Sequence, residues 1–452
     1  MDWEIIETRL NTLLEAGRRS ELRGALLMLP EVDVGHYLSS LEADKMVKVY
    51  RILPKDISAE VFTYMEPEQQ QALITSIADA EVASLIEDMF IDDAVDFLEE
   101  LPAGVVKRVL QNASPDTRAA INQIFKYPEF SAGSIMTIEF AEFHDNLTVG
   151  QCMDLLRKTG VDKETIYTSY VIDPSRHLLG AVELRKLILA QDDAPITSVM
   201  ETNIVSARTL DDQETVADTV RKYDLLTIPV VDTEGRLVGI VTADDIMDVI
   251  EEENTEDFEK MGGLLPAEDS YLKTSVFTLY KNRILWLLIL MVSATFTGMI
   301  VTHFEEVLSA GSLGVILTAS IPMLMGTGGN CGAQASTLVI RGIALGELEF
   351  RDIFRVLWRE VRVAILAGAT LAALNFARLM WLNQEGLGVS LCVSLSMLLT
   401  VILAKGIGCT LPLLAKKCKL DPALMASPII TTLVDACSLT ILFGIASAFL
   451  SI

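Results

Sequence analysis

Basic residues are scarce in this sequence, and the scarcity limits what the chain can bind. There are 36 Lys and Arg side chains against 62 Asp and Glu, for a formal net charge of −26 at pH 7. A nucleic acid or an anionic lipid surface would be repelled by so acidic a protein, so no nucleic acid partner is expected. Metal cations are the natural counter-charge.

Three further signals are missing. None of the cysteines has CxxC spacing, so neither a disulfide framework nor a zinc site is indicated. We expect the cysteines to be in the reduced state and to serve in packing. They are Cys152, Cys331, Cys392, Cys409, Cys418 and Cys437. The N-terminus, MDWEIIETRL, carries mixed charges and lacks the basic segment followed by an apolar one that is typical of a cleaved leader. We therefore expect no cleaved leader and a cytoplasmic N-terminal half. No P-loop, phosphatase, nucleophile–His or metal-hydrolase motif is present, which argues against an enzyme.

The negative charge is confined to the first part of the chain. Residues 283–452 hold 9 acidic and 11 basic side chains, a net of +2, which leaves 53 acidic and 25 basic in residues 1–282, a net of −28. Hydrophobic residues nevertheless make up 51% of the 452 residues. An acidic soluble half therefore precedes an apolar half, and the chain is too long for one ordinary core.

A helical repeat is predicted at the N-terminus. Leu-Pro pairs occur at Leu29-Pro30, Leu53-Pro54 and Leu101-Pro102, so the prolines lie 24 and then 48 residues apart. Apolar residues between them follow i, i+3, i+4 spacing, and proline is favoured where a helix begins. Helix pairs stacked into a superhelix are predicted, with a domain over 1–130.

From Ser131 onward the pattern alternates strands with helices, and it does so twice. Ser-Ile-Met-Thr opens the first stretch and Ser-Val-Met the second, which continues with Ile-Pro-Val-Val-Asp and Gly-Arg-Leu-Val-Gly-Ile-Val-Thr. These stretches resemble a tandem pair of CBS domains, predicted over 131–197 and 198–252. The resemblance implies one pseudo-symmetric module of a kind that often dimerises.

Apolar runs dominate the rest of the chain, after a connecting amphipathic helix predicted over 253–282. A membrane domain over 283–452 is predicted with five spans, because each run reaches the ~20 residues needed to cross a bilayer. The runs lie near 284–304, 312–340, 361–382, 388–414 and 423–450. A cytoplasmic N-terminus then places the loops at 341–362 and 415–421 inside, and their basic residues obey the positive-inside rule. These are Arg341, Arg351, Arg355, Arg359, Arg362, Lys416, Lys417 and Lys419.

The second apolar run contains the sequence Gly-Thr-Gly-Gly-Asn-Cys-Gly-Ala-Gln at 326–334, just after Pro322. Glycine and proline are expected to loosen a helix, and carbonyls freed at membrane depth must face protein or a water-filled path. Gly328, Gly329 and Asn330 are therefore candidates to line an ion path. The alternative is close helix packing through small residues.

Asp435 is the one acidic residue that the predicted spans place deep in the membrane. An ionisable group there usually marks an ion path or a charged partner, and an ion pair with Lys405 is the alternative. Thr431 and Thr432 precede it by four and three residues, and Pro428 is expected to free a further carbonyl. Mg²⁺ keeps most of its water and needs one or two carboxylates with polar oxygens. Asp435, Thr431 and Thr432 could supply them.

Taken together, these motifs resemble the MgtE family of magnesium channels over essentially the whole chain. The Gly-Thr-Gly-Gly-Asn segment, the Pro-x-x-Thr-x-x-x-Asp pattern and the domain order all match. The resemblance implies a homodimer with its pore between the second and fifth spans. It further implies that Asp435 is the central selectivity carboxylate.

The cytosolic carboxylates resemble the family's Mg²⁺-sensing sites. We predict sensing positions at Asp92, Asp93, Asp96, Asp212, Asp224, Asp245, Asp248, Glu253, Glu256, Asp257 and Asp421. Each alone would ordinarily be a solvated surface group. Their sum is more informative, because a region of net −28 repels itself and Mg²⁺ bound between its parts would stabilise a compact arrangement.

A nucleotide site is a further expectation, since CBS pairs commonly bind adenosine compounds. Asp245 ends a Thr-x-x-Asp sequence that begins at Thr242, and Arg185 is the other candidate contact for ATP or another adenine nucleotide. Lys186 replaces an acidic ribose contact in the first repeat. Thr168 stands where some relatives have an aromatic ring, so ATP itself is disfavoured.

The fold class predicted is a multidomain α, α/β and membrane-α protein of the bacterial inner membrane. The function predicted is a Mg²⁺ channel, with Co²⁺, Mn²⁺, Ni²⁺ or Zn²⁺ as secondary ions, closed by cytosolic Mg²⁺. The alternatives are an ion-coupled divalent-cation exchanger, for which Lys405 is the only second titratable candidate, and a non-conducting, membrane-tethered CBS nucleotide sensor.

Overall fold

The structure, a computed structural model, describes residues 3–99, 101–266, 271, 274–304, 312–425 and 427–450. The chain forms two compact units, Met1–Glu251 and Glu252–Ile452. Each unit is described by itself below.

Short helices make up the beginning of the first unit. They are α1 Trp3–Glu15, α2 Arg19–Leu26, α3 Glu31–Ser39, α4 Ala43–Tyr50, α5 Lys55–Thr63, α6 Pro67–Ser76, α7 Asp79–Asp88, α8 Ile91–Glu99, α9 Ala103–Asn112 and α10 Pro115–Ile124. From α3 to α10 each helix begins 12 residues after the preceding one. A helix pair therefore repeats every 24 residues, the spacing of the Leu-Pro pairs, and Pro30, Pro54 and Pro102 each immediately precede a helix.

One apolar core joins these helices from Leu10 to Ile124, with the rings of Phe62 and Phe97 in edge-to-face contact at 4.9 Å. Helices of this length are marginal in water by themselves, so the shared core is what stabilises them. The prediction of a helical N-terminal domain is confirmed.

Two three-stranded sheets follow, with the same topology. Their strands are β1 Phe140–His144, β2 Thr165–Ile172 and β3 Leu178–Glu183, then β4 Ala207–Arg208, β5 Thr227–Val231 and β6 Leu237–Thr242. In each sheet the first two strands are parallel and the last two antiparallel. The accompanying helices are α11 Val149–Thr159, α12 Leu184–Leu189 and α13 Gln213–Tyr223.

The two repeats contact one another through equivalent elements. The β2–β3 and β5–β6 turns exchange backbone hydrogen bonds, Leu178 N to Gly235 O at 3.2 Å and Leu237 N to Arg176 O at 2.9 Å. The hydroxyls of Tyr170 and Thr227 lie 2.7 Å apart in the buried contact between the sheets. The prediction of a pseudo-symmetric CBS pair is confirmed.

The connecting helix differs from its prediction. A single helix, α14, runs from Ala243 to Met261, so residue 253, predicted as the start of a separate segment, lies inside a helix. The helix ends at Gly262-Gly263, where Gly263 has a φ of +71°. A Cβ at Gly263 would lie 2.1 Å from Nε1 of Trp286, so the chain can turn this closely only with glycine.

The second unit contains α15 Val276–His303, α16 Ser312–Ala344, α17 Ile353–Trp381, α18 Leu387–Lys417 and α19 Ser427–Leu450. By length and composition, four helical segments of the described residues could cross a membrane, those containing α15, α17, α18 and α19. Helix α16 is not among them. The fifth span thus stays a prediction.

The expected loosening of α16 is wrong, because the helix is continuous through Pro322 and the glycine-rich segment. Its glycines instead permit close packing. A Cβ at Gly332 would lie 2.6 Å from Cγ2 of Ile430, and one at Gly328 would lie 2.7 Å from Cγ2 of Thr400. The alternative of small-residue packing therefore describes this segment.

Candidate ion-binding sites

Asp435 lies in the third turn of α19 and is half-buried. Within the described residues its carboxylate has no hydrogen-bond or ion-pair partner. An unpaired carboxylate within an apolar helix is costly, which makes Asp435 a candidate for binding a cation.

The glycine-rich segment of α16 lies against the same part of α19. A Cβ at Gly329 would be 3.0 Å from Cγ2 of Thr431, and one at Gly328 would be 2.8 Å from Cγ1 of Val434, the neighbour of Asp435. Gly328 and Gly329 are buried, whereas Asn330 is exposed on the single chain. The structure thus brings the predicted pore residues of α16 and α19 together.

The threonines of α19 have a partner in the first turn of the same helix. The Oγ1 atoms of Thr431 and Thr432 donate to the carbonyl oxygen of Pro428 at 3.0 and 2.9 Å. Pro428 stands in the first turn of α19, where a helix has no N–H bond to lose, so its ring does not free a carbonyl within the helix as expected. The Thr oxygens keep lone pairs that can still accept a hydrogen bond or contact a hydrated ion.

Lys405 pairs with Glu360 and not with Asp435. Lys405 Nζ on α18 lies 3.1 Å from Glu360 Oε2 on α17, and their side chains are 7% and 14% exposed. Asp435 is therefore not the only acidic residue deep in the helical part of this unit. The sequence prediction missed Glu360 because the predicted third span began one residue later, at 361.

A cluster of carboxylates lies within the first unit, where α8 meets the CBS pair. Asp92 and Asp93 come from α8, Glu139 and Glu164 from the first repeat, and Asp245 from the first turn of α14. Asp92 is 7% exposed, and Oε2 of Glu164 is buried without a hydrogen-bond partner. This group, here called the interface cluster, contains no Lys or Arg.

Burial and mutual repulsion raise the pKa values of the interface cluster. Burial, followed by the charges of Asp245 and Asp244, raises the pKa of Asp93 to about 6. Burial, followed by Asp93 and Asp245, raises the pKa of Glu164 to about 8. The pKa of Asp92 is raised in the same way, and mainly by burial.

Two hydrogen bonds position members of the interface cluster. Glu139 Oε2 accepts from the backbone N–H of Ile91 at 2.9 Å and so holds the first turn of α8. Asp245 Oδ2 accepts from Thr242 Oγ1 at 2.5 Å. Nowhere in the described part of the chain do three His, Cys, Asp or Glu side chains converge closely enough to enclose a metal. An ion here would keep water ligands, as Mg²⁺ ordinarily does.

A second acidic group occupies the end of α14, in the second unit. Lys260 Nζ lies 2.8 Å from Glu256 Oε1 and 2.7 Å from Asp421 Oδ2. Burial, then the charge of Asp421, raises the pKa of the neighbouring Asp257 to about 6, against the opposing effect of Lys260. Glu256, Asp257 and Asp421 are therefore brought together as predicted, with a protein cation among them.

Family models match three parts of this chain. They are described as divalent cation transporter over residues 321–445, MgtE intracellular N domain over 29–130 and CBS domain over 196–252. The chain is 35% identical to the "Magnesium transporter MgtE" of Thermus thermophilus over 452 residues, 99% of each chain. It belongs to the MgtE family.

A second curated relative, the "Magnesium transporter MgtE" of Bacillus subtilis, is 31% identical over 100% of this chain and 98% of its own. A solved structure described as "the cytosolic domain of the Mg2+ channel MgtE in complex with ATP" matches at 34% identity and a TM-score of 0.51. It covers 54% of this chain and 99% of the solved one. The relatives are named as transporters, which confirms the prediction that this MgtE-family chain is not an enzyme.

Membership of the MgtE family, with the apolar helices, makes the chain a multi-pass protein of the inner membrane with its N-terminal domain in the cytoplasm. The predicted localisation is confirmed.

The remaining predicted sensing positions are not among the residues that define the interface cluster, although the charge of Asp248 acts on Asp245. Asp212 caps α13 by accepting from Glu214 N at 3.0 Å, and Asp224 ends that helix with a φ of 51°. These two carboxylates have local structural roles. Asp96 and Asp248 are exposed on α8 and α14, and Glu253 is half-buried on α14. Their roles in sensing remain predictions.

Of the two candidate nucleotide residues, Asp245 accepts a hydrogen bond from Thr242 and Arg185 is engaged in an ion pair. Arg185 Nη2 lies 3.2 Å from Glu183 Oε2, and Lys186 pairs with Glu201. Glu201 thus neutralises the lysine that replaces the expected acidic ribose contact.

Four acidic residues near these sites were not predicted from the sequence, namely Glu139, Glu164, Asp244 and Glu360. Asp244 had a signal, since it adjoins Asp245. Nothing local distinguishes Glu139 or Glu164 from a surface carboxylate, and only the tertiary contact with α8 reveals them.

Proposed function

We propose that this protein is a Mg²⁺ channel whose ion path runs beside Asp435. The observation that carries the proposal is the unpaired carboxylate of Asp435, at the level of the glycine-rich segment of α16 and within an apolar helix. Relatives over the full chain are named as magnesium transporters. A carboxylate without a protein cation is suited to attract a hydrated divalent ion.

The pore is proposed to lie between two copies of the chain. Asn330 is exposed on a single chain although it lies mid-helix, and Leu433, two residues before Asp435, is 43% exposed. A symmetric partner packed on this face would bring two Asp435 carboxylates together and cover the exposed apolar surface. Two carboxylates match the charge of one Mg²⁺, and other divalent ions such as Co²⁺, Mn²⁺, Ni²⁺ and Zn²⁺ are proposed as secondary substrates.

A coupled exchanger is less well supported. Coupling to a second ion ordinarily needs another titratable group that can change its charge within the membrane. Lys405 was the candidate, and its ammonium is neutralised by Glu360 at 3.1 Å. A non-conducting nucleotide sensor would have no use for an unpaired intramembrane carboxylate.

Cytosolic Mg²⁺ is proposed to close the channel through the interface cluster and the acidic end of α14. The carboxylates of Asp92, Asp93 and Glu164 repel one another, so a bound divalent cation would stabilise the contact between α8 and the CBS pair. Ion binding to one arrangement shifts the population toward it. Loss of Mg²⁺ would then favour opening.

An adenine nucleotide is proposed as a ligand of the CBS pair, on the basis of Arg185, Asp245 and the relative solved with ATP. Binding would require Arg185 to exchange Glu183 for a phosphate. Calorimetric titration of the purified protein with ATP, with Arg185→Ala as the control, tests this ligand.

The channel is tested by reconstituting the protein into liposomes that contain a fluorescent Mg²⁺ indicator. A K⁺ diffusion potential, negative inside, should drive Mg²⁺ entry without any Na⁺ or H⁺ gradient. Entry that requires such a gradient would identify an exchanger, and no entry under any gradient would favour the non-conducting sensor.

Gating is tested by deleting residues 1–130. The deletion should leave conduction at low Mg²⁺ intact, since the proposed pore lies elsewhere, and should weaken closure by millimolar Mg²⁺ on the cytosolic side. Full closure in the deleted protein would contradict a role of the interface cluster.

A further inference from the structure

The ion pair between Glu360 and Lys405 has no role in the ion path proposed above. Lys405 is 6% exposed overall, and it links α18 to α17 at one point. A charged side chain inside an apolar region is costly unless paired, so any displacement of α18 along α17 would leave two buried charges apart. The pair therefore fixes the register of these two helices.

The backbone of α18 on either side of Lys405 rests directly on α16. The carbonyl oxygen of Ala404 lies 3.2 Å from the position of a Cβ at Gly332, and a Cβ at Gly408 would lie 2.2 Å from the carbonyl oxygen of Gly332. Residues 404 and 408 are one turn apart and share a helix face. Helix α18 is thus held by backbone contact on α16 and by the ion pair on α17.

Helix α18 also contacts the glycine-rich segment beside Asp435. The position of a Cβ at Gly328 lies 2.7 Å from Cγ2 of Thr400 on α18 and 2.8 Å from Cγ1 of Val434 on α19. Gly328 has no side chain that could rearrange to absorb a movement of Thr400. A shift of α18 must then move the backbone of α16 relative to Asp435.

We propose that the Glu360–Lys405 pair is a positioning element for ion selectivity. It fixes α18, and through Thr400, Ala404 and Gly408 it fixes the α16 segment that faces Asp435. Neither charged residue touches the ion. The inference rests on the proposed Mg²⁺ channel and adds residues that determine its selectivity.

The test measures Mg²⁺ and Ca²⁺ entry into liposomes containing the full-length protein. Lys405→Met and Glu360→Gln should each lower Mg²⁺ entry by roughly tenfold, because small misplacements at a site have large effects. Each should also change the ratio of Mg²⁺ to Ca²⁺ entry at least threefold. The exchanged pair, Glu360→Lys with Lys405→Glu, should restore both quantities to within threefold of wild type. Arg359→Gln, an exposed neighbour on α17, is the matched control and should change neither.

A double apolar variant separates positioning from folding. Buried ion pairs replaced by apolar residues often keep their stability, so Glu360→Met with Lys405→Met should retain a wild-type melting temperature. Its selectivity ratio should stay altered, since no directional contact holds the register. A wild-type ratio in this variant, or in both folded single variants, would overturn the inference. Absence of Mg²⁺ entry in the wild type would instead overturn the proposed function.

Discussion

In the first unit, Asp92 is buried and Asp93 and Glu164 are half-buried beside other carboxylates, whereas several charges of the second unit are paired with a charge of opposite sign. Lys405 neutralises Glu360 and Lys260 lies between Glu256 and Asp421, whereas Asp435, within an apolar helix, has no partner among the described residues. A cluster of like charges makes the stability of the contact between α8 and the CBS pair sensitive to cation concentration. A solitary charge in an apolar helix provides one defined point of attraction for a passing ion.

The largest effect is expected when the unpaired charge of Asp435 is removed. Asp435→Asn keeps the size of the side chain, so expression and folding should be preserved. Mg²⁺ entry into liposomes should fall by roughly 100-fold, which matches the ~2.5–3.5 kcal/mol scale of an intramembrane charge. Asp352→Asn, which changes a carboxylate outside α17, should leave entry unchanged. Undiminished entry with Asp435→Asn would exclude Asp435 from the ion path.

The close packing around that charge can be tested with two glycines of α18. Gly408→Ala places a Cβ 2.2 Å from the carbonyl oxygen of Gly332, so the detergent-solubilised protein should lose at least roughly 1–3 kcal/mol of stability. Gly406→Ala is the matched control, since its Cβ meets only Cδ1 of Leu357 at 3.8 Å. Thermal unfolding measures both variants. Equal melting temperatures would show that α16 and α18 are not in backbone contact.

The like charges of the first unit predict that its stability depends on pH. The pKa values of Asp93 and Glu164 are raised to about 6 and about 8 from their ordinary values of 3.8 and 4.5. The folded state therefore binds more protons than the unfolded state within this window, and stability falls as pH rises through 6 and 8. A fragment of residues 1–266 is suited to this measurement, because the soluble part of a related magnesium transporter has been crystallised separately. Its melting temperature should fall by roughly 5 °C between pH 5 and 8.5 without Mg²⁺.

Millimolar Mg²⁺ at pH 8.5 should restore the lost stability, because the deprotonated carboxylates bind it. Asp93→Asn with Glu164→Gln should flatten the pH dependence, whereas Asp116→Asn, an exposed carboxylate on α10, should not. NaCl at matched ionic strength should protect less than Mg²⁺. Equal protection by the two salts would reduce the effect to screening and remove the proposed sensor.

The smallest effect is expected at the end of α14. Lys260→Met removes the cation between Glu256 and Asp421, so Mg²⁺ should close the channel at a concentration roughly threefold lower. The effect is small because a partly exposed ion pair contributes little free energy. Lys260→Arg keeps the charge and should behave as wild type. A higher closing concentration in Lys260→Met would mean that the lysine itself holds the closed state.

The sequence by itself determined the order of elements and the candidates for ion binding. Leu-Pro spacing predicted the 24-residue helix pair, repeated strand patterns predicted the CBS pair, and apolar runs predicted the membrane helices, because periodicity and local composition are properties of neighbouring residues. Asp435 was also predictable, since a charge in an apolar run is conspicuous in any one sequence.

Only the tertiary structure decided how the charges are paired. Whether Lys405 would neutralise Asp435 or Glu360 depends on which helix lies beside α18, because Asp435 is 30 residues and Glu360 is 45 residues from it in the sequence. Glu139 and Glu164 became members of the interface cluster only because α8 packs against the CBS pair. The continuity of α16 was likewise decided by packing, since the surfaces of α18 and α19 fill the space that its glycines leave open.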